Sequence, residues 1–184
     1  MVPTFKKQPG FAGQTATMNR ATGDALTVTY WESEKAMQDS RPEVMAAAQK
    51  FLQAVGGEMV EQVDCEVAVL ERFQPPEVGV PVRMNIVQAD PSKVNDGIAS
   101  FKDNVVPAIK QQKGIRTAFF FVDRKSGKAF AGSVWDSQQD LEKSESAISG
   151  LRRQTASRAG ASEPKVEIFE IVSTKILART PVTR

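Results

Sequence analysis

Histidine does not occur in this chain of 184 residues. That excludes a histidine-dependent triad, a histidine metal or haem ligand and a histidine general base. Cysteine occurs once, at Cys65, so there is no internal disulfide and no thiolate-rich zinc or iron–sulfur site. One thiol fits a reducing cytoplasm, which is the expected location. Tyrosine also occurs once, at Tyr30, leaving carboxylates, lysines, one phenol and one thiol for acid–base work. No run approaches the ~18–20 apolar residues of a membrane span. The start, Met-Val-Pro-Thr-Phe-Lys-Lys, lacks the apolar core of a secretion signal. Net charge is +2, with Lys and Arg interspersed among Asp and Glu, so neither nucleic acid nor a membrane is an expected partner. There is no phosphate loop and no zinc spacing, and neither metal nor cofactor is expected.

What the chain does have is a repeat. Residues 2–73 align without a gap on residues 106–177 at a constant offset of 104, with 13 identities. Chance would give roughly four or five. They fall at punctuating residues: Gly10/Gly114, Gly23/Gly127 and Gly56/Gly160, Trp31/Trp135, Ser33/Ser137 and Ser40/Ser144, Arg20/Arg124 and Glu66/Glu170, with Val2/Val106 and Pro3/Pro107 among the rest. A duplicated domain is expected. The boundaries are 1–73 for a truncated repeat, 74–79 for a proline-stiffened linker, 80–177 for a complete repeat and 178–184 for a tail. Residues 80–105 have no counterpart after Met1. Either upstream sequence is missing or the protein works with one strand fewer.

The element pattern follows from periodicity. Val80, Val82, Met84 and Ile86 alternate with Pro81, Arg83, Asn85 and Val87, predicting a strand. Asp90-Pro91 then opens a helix, as N-cap and first residue, with Val94, Ile98, Phe101, Val105 and Ile109 as its buried face; Pro107 should interrupt it. Ile115–Arg124 and Ala129–Asp136 form a hairpin around Lys125–Lys128, a helix covers 137–159, and Lys165–Ile176 is the last strand. The order β-α-β-β-α-β is the ferredoxin-like split βαβ. The first repeat has its last two-thirds: strands over 10–20, 25–32 and 59–72, and a helix over 33–55 with a break near Arg41-Pro42.

The segments Gly10–Ser33, ending Trp31-Glu32-Ser33, and Gly114–Ser137, ending Trp135-Asp136-Ser137, resemble the antibiotic-biosynthesis-monooxygenase-like (ABM) family. The resemblance covers nearly the whole chain, once per repeat. It implies an α+β fold of tandem ferredoxin-like repeats, the first lacking its initial strand and most of its first helix. Family members pair through their sheets into an α/β barrel. A tandem chain would build one intramolecularly, with seven strands and an open edge through which a homodimer could form.

The resemblance also implies chemistry: cofactor-independent oxygenation of phenols or quinols, or haem degradation. The haem degraders' first-strand Asn matches Asn85, but their helix Trp falls on Asp39 and Lys143 and their His on Gln49 and Arg153. Haem degradation of that kind is therefore not expected. The leading expectation is a small aromatic or quinone-type molecule bound inside the barrel. Asn85 and Arg83 would orient its oxygen as catalytic residues, and Phe119, Phe121, Trp135, Ser133 and Glu170 would contact it. Against this stands a non-catalytic binding or interaction barrel.

Bland alternatives stay open for each residue. They are Asn85 as a polar residue lining a partly wet sheet, Arg83 as an edge-proximal charge in solvent, Trp31 and Trp135 as anchors of strand to helix, and Glu66 and Glu170 as solvated carboxylates. Thr15, Thr17, Thr27 and Thr29 are expected as one polar wall facing the phenylalanines. Leu26, Val28 and Tyr30 should face the helices, Arg152 and Arg153 should be solvated, and Cys65 should pack as a small hydrophobe.

Overall fold

The computed structural model describes residues 5–177, so the Val2 and Pro3 coincidences and the tail at 178–184 lie outside the described residues. Seven strands form one antiparallel sheet: β1 (Phe11–Met18), β2 (Ala25–Trp31), β3 (Glu66–Arg72), β4 (Pro81–Gln88), β5 (Ile115–Val122), β6 (Lys128–Trp135) and β7 (Lys165–Ile176). Their order is β2-β1-β7-β4-β6-β5-β3. The central four, β7-β4-β6-β5, are a complete ferredoxin-like sheet. Residues 11–72 add β1 and β2 to one side of it and β3 to the other. Leu26 and Val28 from one end of the sheet line the same cavity as Leu70 and Arg72 from the other end, so the sheet curls into a half-barrel. The α+β class and the seven strands agree with expectation.

Several local features recur 104 residues apart. Gly10, Gly23 and Gly56 have φ of +74°, +81° and +68°, and Gly114, Gly127 and Gly160 have +78°, +77° and +64°. This left-handed conformation is costly for a side chain carrying Cβ. Ser33 and Ser137 both cap helices, accepting from Ala36 N and Asp140 N. The β1–β7 and β5–β3 pairings share one register, Met18↔Glu170 and Val122↔Glu66, and carry a bulge at matching places, at Val172 and Ala68. Arg20 reaches Glu170 at 2.7 Å, and Arg124 reaches Glu66 at 3.1 Å. Residues 5–73 and 80–177 thus each offer an arginine to a glutamate of the other.

The helices differ between the halves. α1 (Glu34–Val55) runs unbroken through Pro42, contrary to the expected break. Pro42 is exposed, so water can take up the carbonyl its missing N–H leaves free. The later counterpart was expected as one helix but divides at Ser144 into α4 (Gln138–Lys143) and α5 (Glu145–Arg158). Here the Leu141 carbonyl accepts from Arg83 Nη2 at 2.6 Å and from Ser144 Oγ at 2.7 Å, drawing it out of the helical ladder. Between β4 and β5 lie α2 (Val94–Ser100), a π turn (Phe101–Val105) and α3 (Val106–Lys110). The interruption expected from Pro107 is this π turn. β3 begins at Glu66 rather than near residue 59. No described helix is long and apolar enough to cross a membrane.

The core has two layers, one on each face of the sheet. Phe120, Val122, Ala131 and Trp135 pack under α2, α3 and α5 together with Val94, Ile98, Phe101 and Ile148. Val82, Met84, Phe119, Phe121, Val134 and Ile171 fill the concave side. Gly132 permits this, because a Cβ there would stand 2.5 Å from the Phe119 ring and 2.4 Å from the Arg83 carbonyl.

Candidate functional site

β4 is central in the sheet, and its period-two alternation sends Val82, Met84 and Ile86 to the concave side and Arg83, Asn85 and Val87 toward the helices. On the helix side a cavity of about 50 Å³ lies between β4, β5 and β6 and the covering helices. Its walls are mostly apolar, with Val87, Phe101, Val105, Ile109, Phe120 and Ile148, and Arg83, Ser133, Arg152 and Thr155 also line it. The π turn contributes Phe101 and Val105, an arrangement recurrent near functional sites.

Asn85 is the polar group of its lining that keeps an unpaired acceptor. Nδ2 donates to the Ala131 carbonyl at 2.8 Å, which fixes the amide's orientation because a carbonyl can only accept. Oδ1 is left buried without a partner. An unmet buried acceptor costs about 1–3 kcal/mol, so its retention calls for a reason. Beside it, Trp135 Nε1 donates to Ser133 Oγ at 2.8 Å. Trp31 and Thr29 make the same bond at 3.2 Å. That repetition fits Trp135 and Ser133 as a packing anchor at the end of β6.

Arg83 is not free to hold a substrate oxygen as expected. Nη1 donates to Ser144 Oγ at 2.9 Å, and Nη2 serves the Leu141 carbonyl and lies 3.1 Å from Glu145. Burial pulls the guanidinium below its ordinary pKa while Glu145 opposes that shift. Arg152, expected in solvent, has a side chain only 13% exposed and shares Glu145 with Arg83. The hydrogen bond from Arg152, with the nearby arginine charges, holds the Glu145 carboxyl below the usual range. Glu145 is therefore a weak base.

The phenylalanines lie elsewhere. Phe119 and Phe121 stack at 4.9 Å on the concave face, where a second cavity of about 60 Å³ opens. The sheet separates them from Asn85 and Arg83, so the expected constellation does not assemble: alternating residues of antiparallel strands cannot share a compartment across the sheet. Leu26, Val28 and Tyr30, expected under helices, also join the concave cluster, and Tyr30 meets Phe121 edge-on at 6.0 Å. Burial raises the Tyr30 pKa. Of the expected threonine wall, Thr15 and Thr17 line this cavity, whereas Thr27 and Thr29 alternate to the other face. Glu170 lines neither cavity and is paired with Arg20, which holds its carboxyl below the ordinary range. The Cys65 thiol is pushed up to about 11 by burial and by Asp123 and Asp64, which suits packing rather than reactivity.

Sequence reasoning took Phe101, Val105 and Ile109 as a buried helix face but not as cavity walls, and it missed Ile148 and Arg152. The available signal was the Arg83/Asn85/Val87 side of β4, which had to face some element across the sheet.

Two relatives are known from Mycobacterium tuberculosis. The uncharacterized protein Rv2558 is 30% identical over 173 residues, 93% of this chain and 72% of the relative. The chain belongs to the family of Rv2558. The uncharacterized protein Rv2557 is 26% identical over 171 residues, covering 93% and 76%. No family model matches. Among solved structures, a candidate monooxygenase from Fusobacterium nucleatum superposes with a TM-score of 0.72 at 11% identity, covering 95% of this chain and 82% of that one. An anthrone oxidase-like protein gives 0.68 at 15% identity, covering 94% and 81%. At these identities the likeness concerns the fold alone, an α+β fold built on a curled antiparallel sheet.

Proposed function

We propose that the chain binds a small, mostly apolar phenol or quinol in the cavity beneath α2, α3 and α5, with its hydroxyl donating to Asn85 Oδ1. The observation that carries this reading is the buried, unpartnered Oδ1 at the edge of a mostly apolar cavity. At about 50 Å³ the cavity as it stands is smaller than the ~150 Å³ known to accept benzene, so binding requires the walls to part. The π turn, where the covering layer departs from α-helical bonding, is where we place that movement.

The fold favours oxidation of the bound molecule by O₂. A phenol with a free para position would give quinone and water, one oxygen atom entering the ring and the other leaving as water. The protein's contribution would be orientation and exclusion of water, because Glu145, held ionised between two arginines, is a poor proton acceptor. That same point favours the second reading, a binding barrel without turnover. Oxygen-electrode assays and calorimetry with a panel of phenols and quinols decide between them. O₂ uptake that Asn85→Leu abolishes supports the enzyme, saturable binding without uptake supports the binding barrel, and absence of binding refutes both.

We also infer that residues 1–73 and 80–177 are diverged copies joined by 74–79. The matched glycine conformations, caps and bulges and the reciprocal arginine–glutamate pairs support this.

A further inference from the structure

In the second half, α5 is covered by α2. A Cβ on Gly97 would stand 2.8 Å from that of Ala159, and Ser100 Oγ lies 3.0 Å from Thr155 Oγ1. Ile148 joins Val94, Ile98 and Phe101 in one core. At the offset of 104, Ile148, Thr155 and Ala159 correspond to Val44, Phe51 and Val55 of α1. The positions that dock a helix in one half are thus apolar in the other, yet Phe51 is 45% exposed and Val55 59% exposed. Only Ser40 is buried along the whole of α1.

The sheet points to the same place. β4 lies between β7 and β6, whose counterparts are β3 and β2. These are the two ends of the sheet, each with one hydrogen-bonding side unpaired by any other described strand. A bare helix stripe and two strand edges therefore coincide where the second half places β4, α2 and α3.

We propose that this surface docks a strand–helix unit with the chemistry of Val80–Lys110. Its alternating strand would bridge β2 and β3 by backbone hydrogen bonds, and its helix would lay an apolar side over Val44, Phe51 and Val55. The occupant we assign is a segment of the longer family chain rather than a second copy. The part of Rv2557 outside the match is about fifty residues, more than the 31 from Val80 to Lys110. The proposal rests on reading the halves as copies and is independent of the Asn85 cavity.

The test is hydrogen exchange on the chain as it is and on a fusion carrying Val80–Val105 directly before Val2. Val106-Pro107 coincides with Val2-Pro3, so that fusion continues in register. Amides of residues 44–55 should exchange about tenfold or more slowly in the fusion. Phe51→Asp, nearly silent in the chain as it is, should lower the fusion's Tm. Should the fusion fail to fold, the peptide Val80–Lys110 added in trans gives the same readout. Unchanged exchange at 44–55 while β5 and β6 stay protected overturns the proposal. So does a concentration-dependent dimer of the unfused chain that protects 44–55, which would give the surface to a second copy. A fusion one residue shorter separates the two ideas, because equal protection by both lengths keeps the docking surface and removes the argument from copies.

Discussion

Trp135 is wholly buried, whereas Trp31, at the matching end of β2, is only half-buried although its indole makes the same hydrogen bond. The same contrast recurs in the strands that carry them. β6 is buried along nearly its whole length, and β2 has no fully buried residue. Local chemistry is shared: the same turn glycines, the same caps, and serines at 40 and 144 that each bond back to the carbonyl three residues earlier. What differs is the layer above. Local sequence makes a hairpin and a capped helix, but a tryptophan becomes an anchor only when a second helix and a central strand close over it.

The largest effect should come from the tryptophans. Trp135→Ala should cost about 3–5 kcal/mol and Trp31→Ala clearly less, measured by urea unfolding, because cavity cost follows burial. Equal costs would break the comparison. Next is Arg83→Ala, which strips Ser144, the Leu141 carbonyl and Glu145 of a buried partner and should also cost about 3–5 kcal/mol. If the arginine is what divides the helix, exchange at residues 141–145 should change in that variant. Pro42→Ala should stabilise by up to ~3 kcal/mol, since α1 already holds its helix through that residue; a loss in Tm would mean that the proline is needed.

Smallest are the reciprocal pairs. Arg20→Ala and Arg124→Ala should each lower Tm only slightly, and less in high salt. Their arginines hold Glu170 and Glu66 below the ordinary carboxylate range. Stability from these pairs is therefore complete above the unfolded glutamate value of about 4.3 and lost as pH falls through the lowered folded values. Melts between pH 7 and pH 3 should show that loss shrinking in both variants.

Much of the fold was legible because it is written in short-range signals. Gly114, Gly127 and Ser137 mark turns and caps, β4 alternates visibly, and Asp90-Pro91 does what its residue types dictate. The seven-strand count followed from strand periodicity in residues 80–177 together with the offset of 104. The site was less legible, because side-chain alternation tells which residues share a face without telling which face meets a helix. Asn85 with Phe119 is the instructive error, since both belong to central strands and both are buried, but on opposite sides. Leu26, Val28 and Tyr30 failed for the same reason. Arg152 was hidden because an arginine pair on a helix reads as solvated unless the buried strand beneath it, carrying Arg83, is already placed.

The bulges at Val172 and Ala68 separate two properties that usually travel together. Ile171 and Thr174 both address the concave side, as do Val67 and Leu70, although each pair is three residues apart. Deleting Val172 or Ala68 would therefore restore plain alternation and leave every neighbouring side chain on its own face. What would go is the local bend at that strand pair. Each of these two bulges is thus an editable trait of the sheet, removable without rewriting the pattern that decides what is buried.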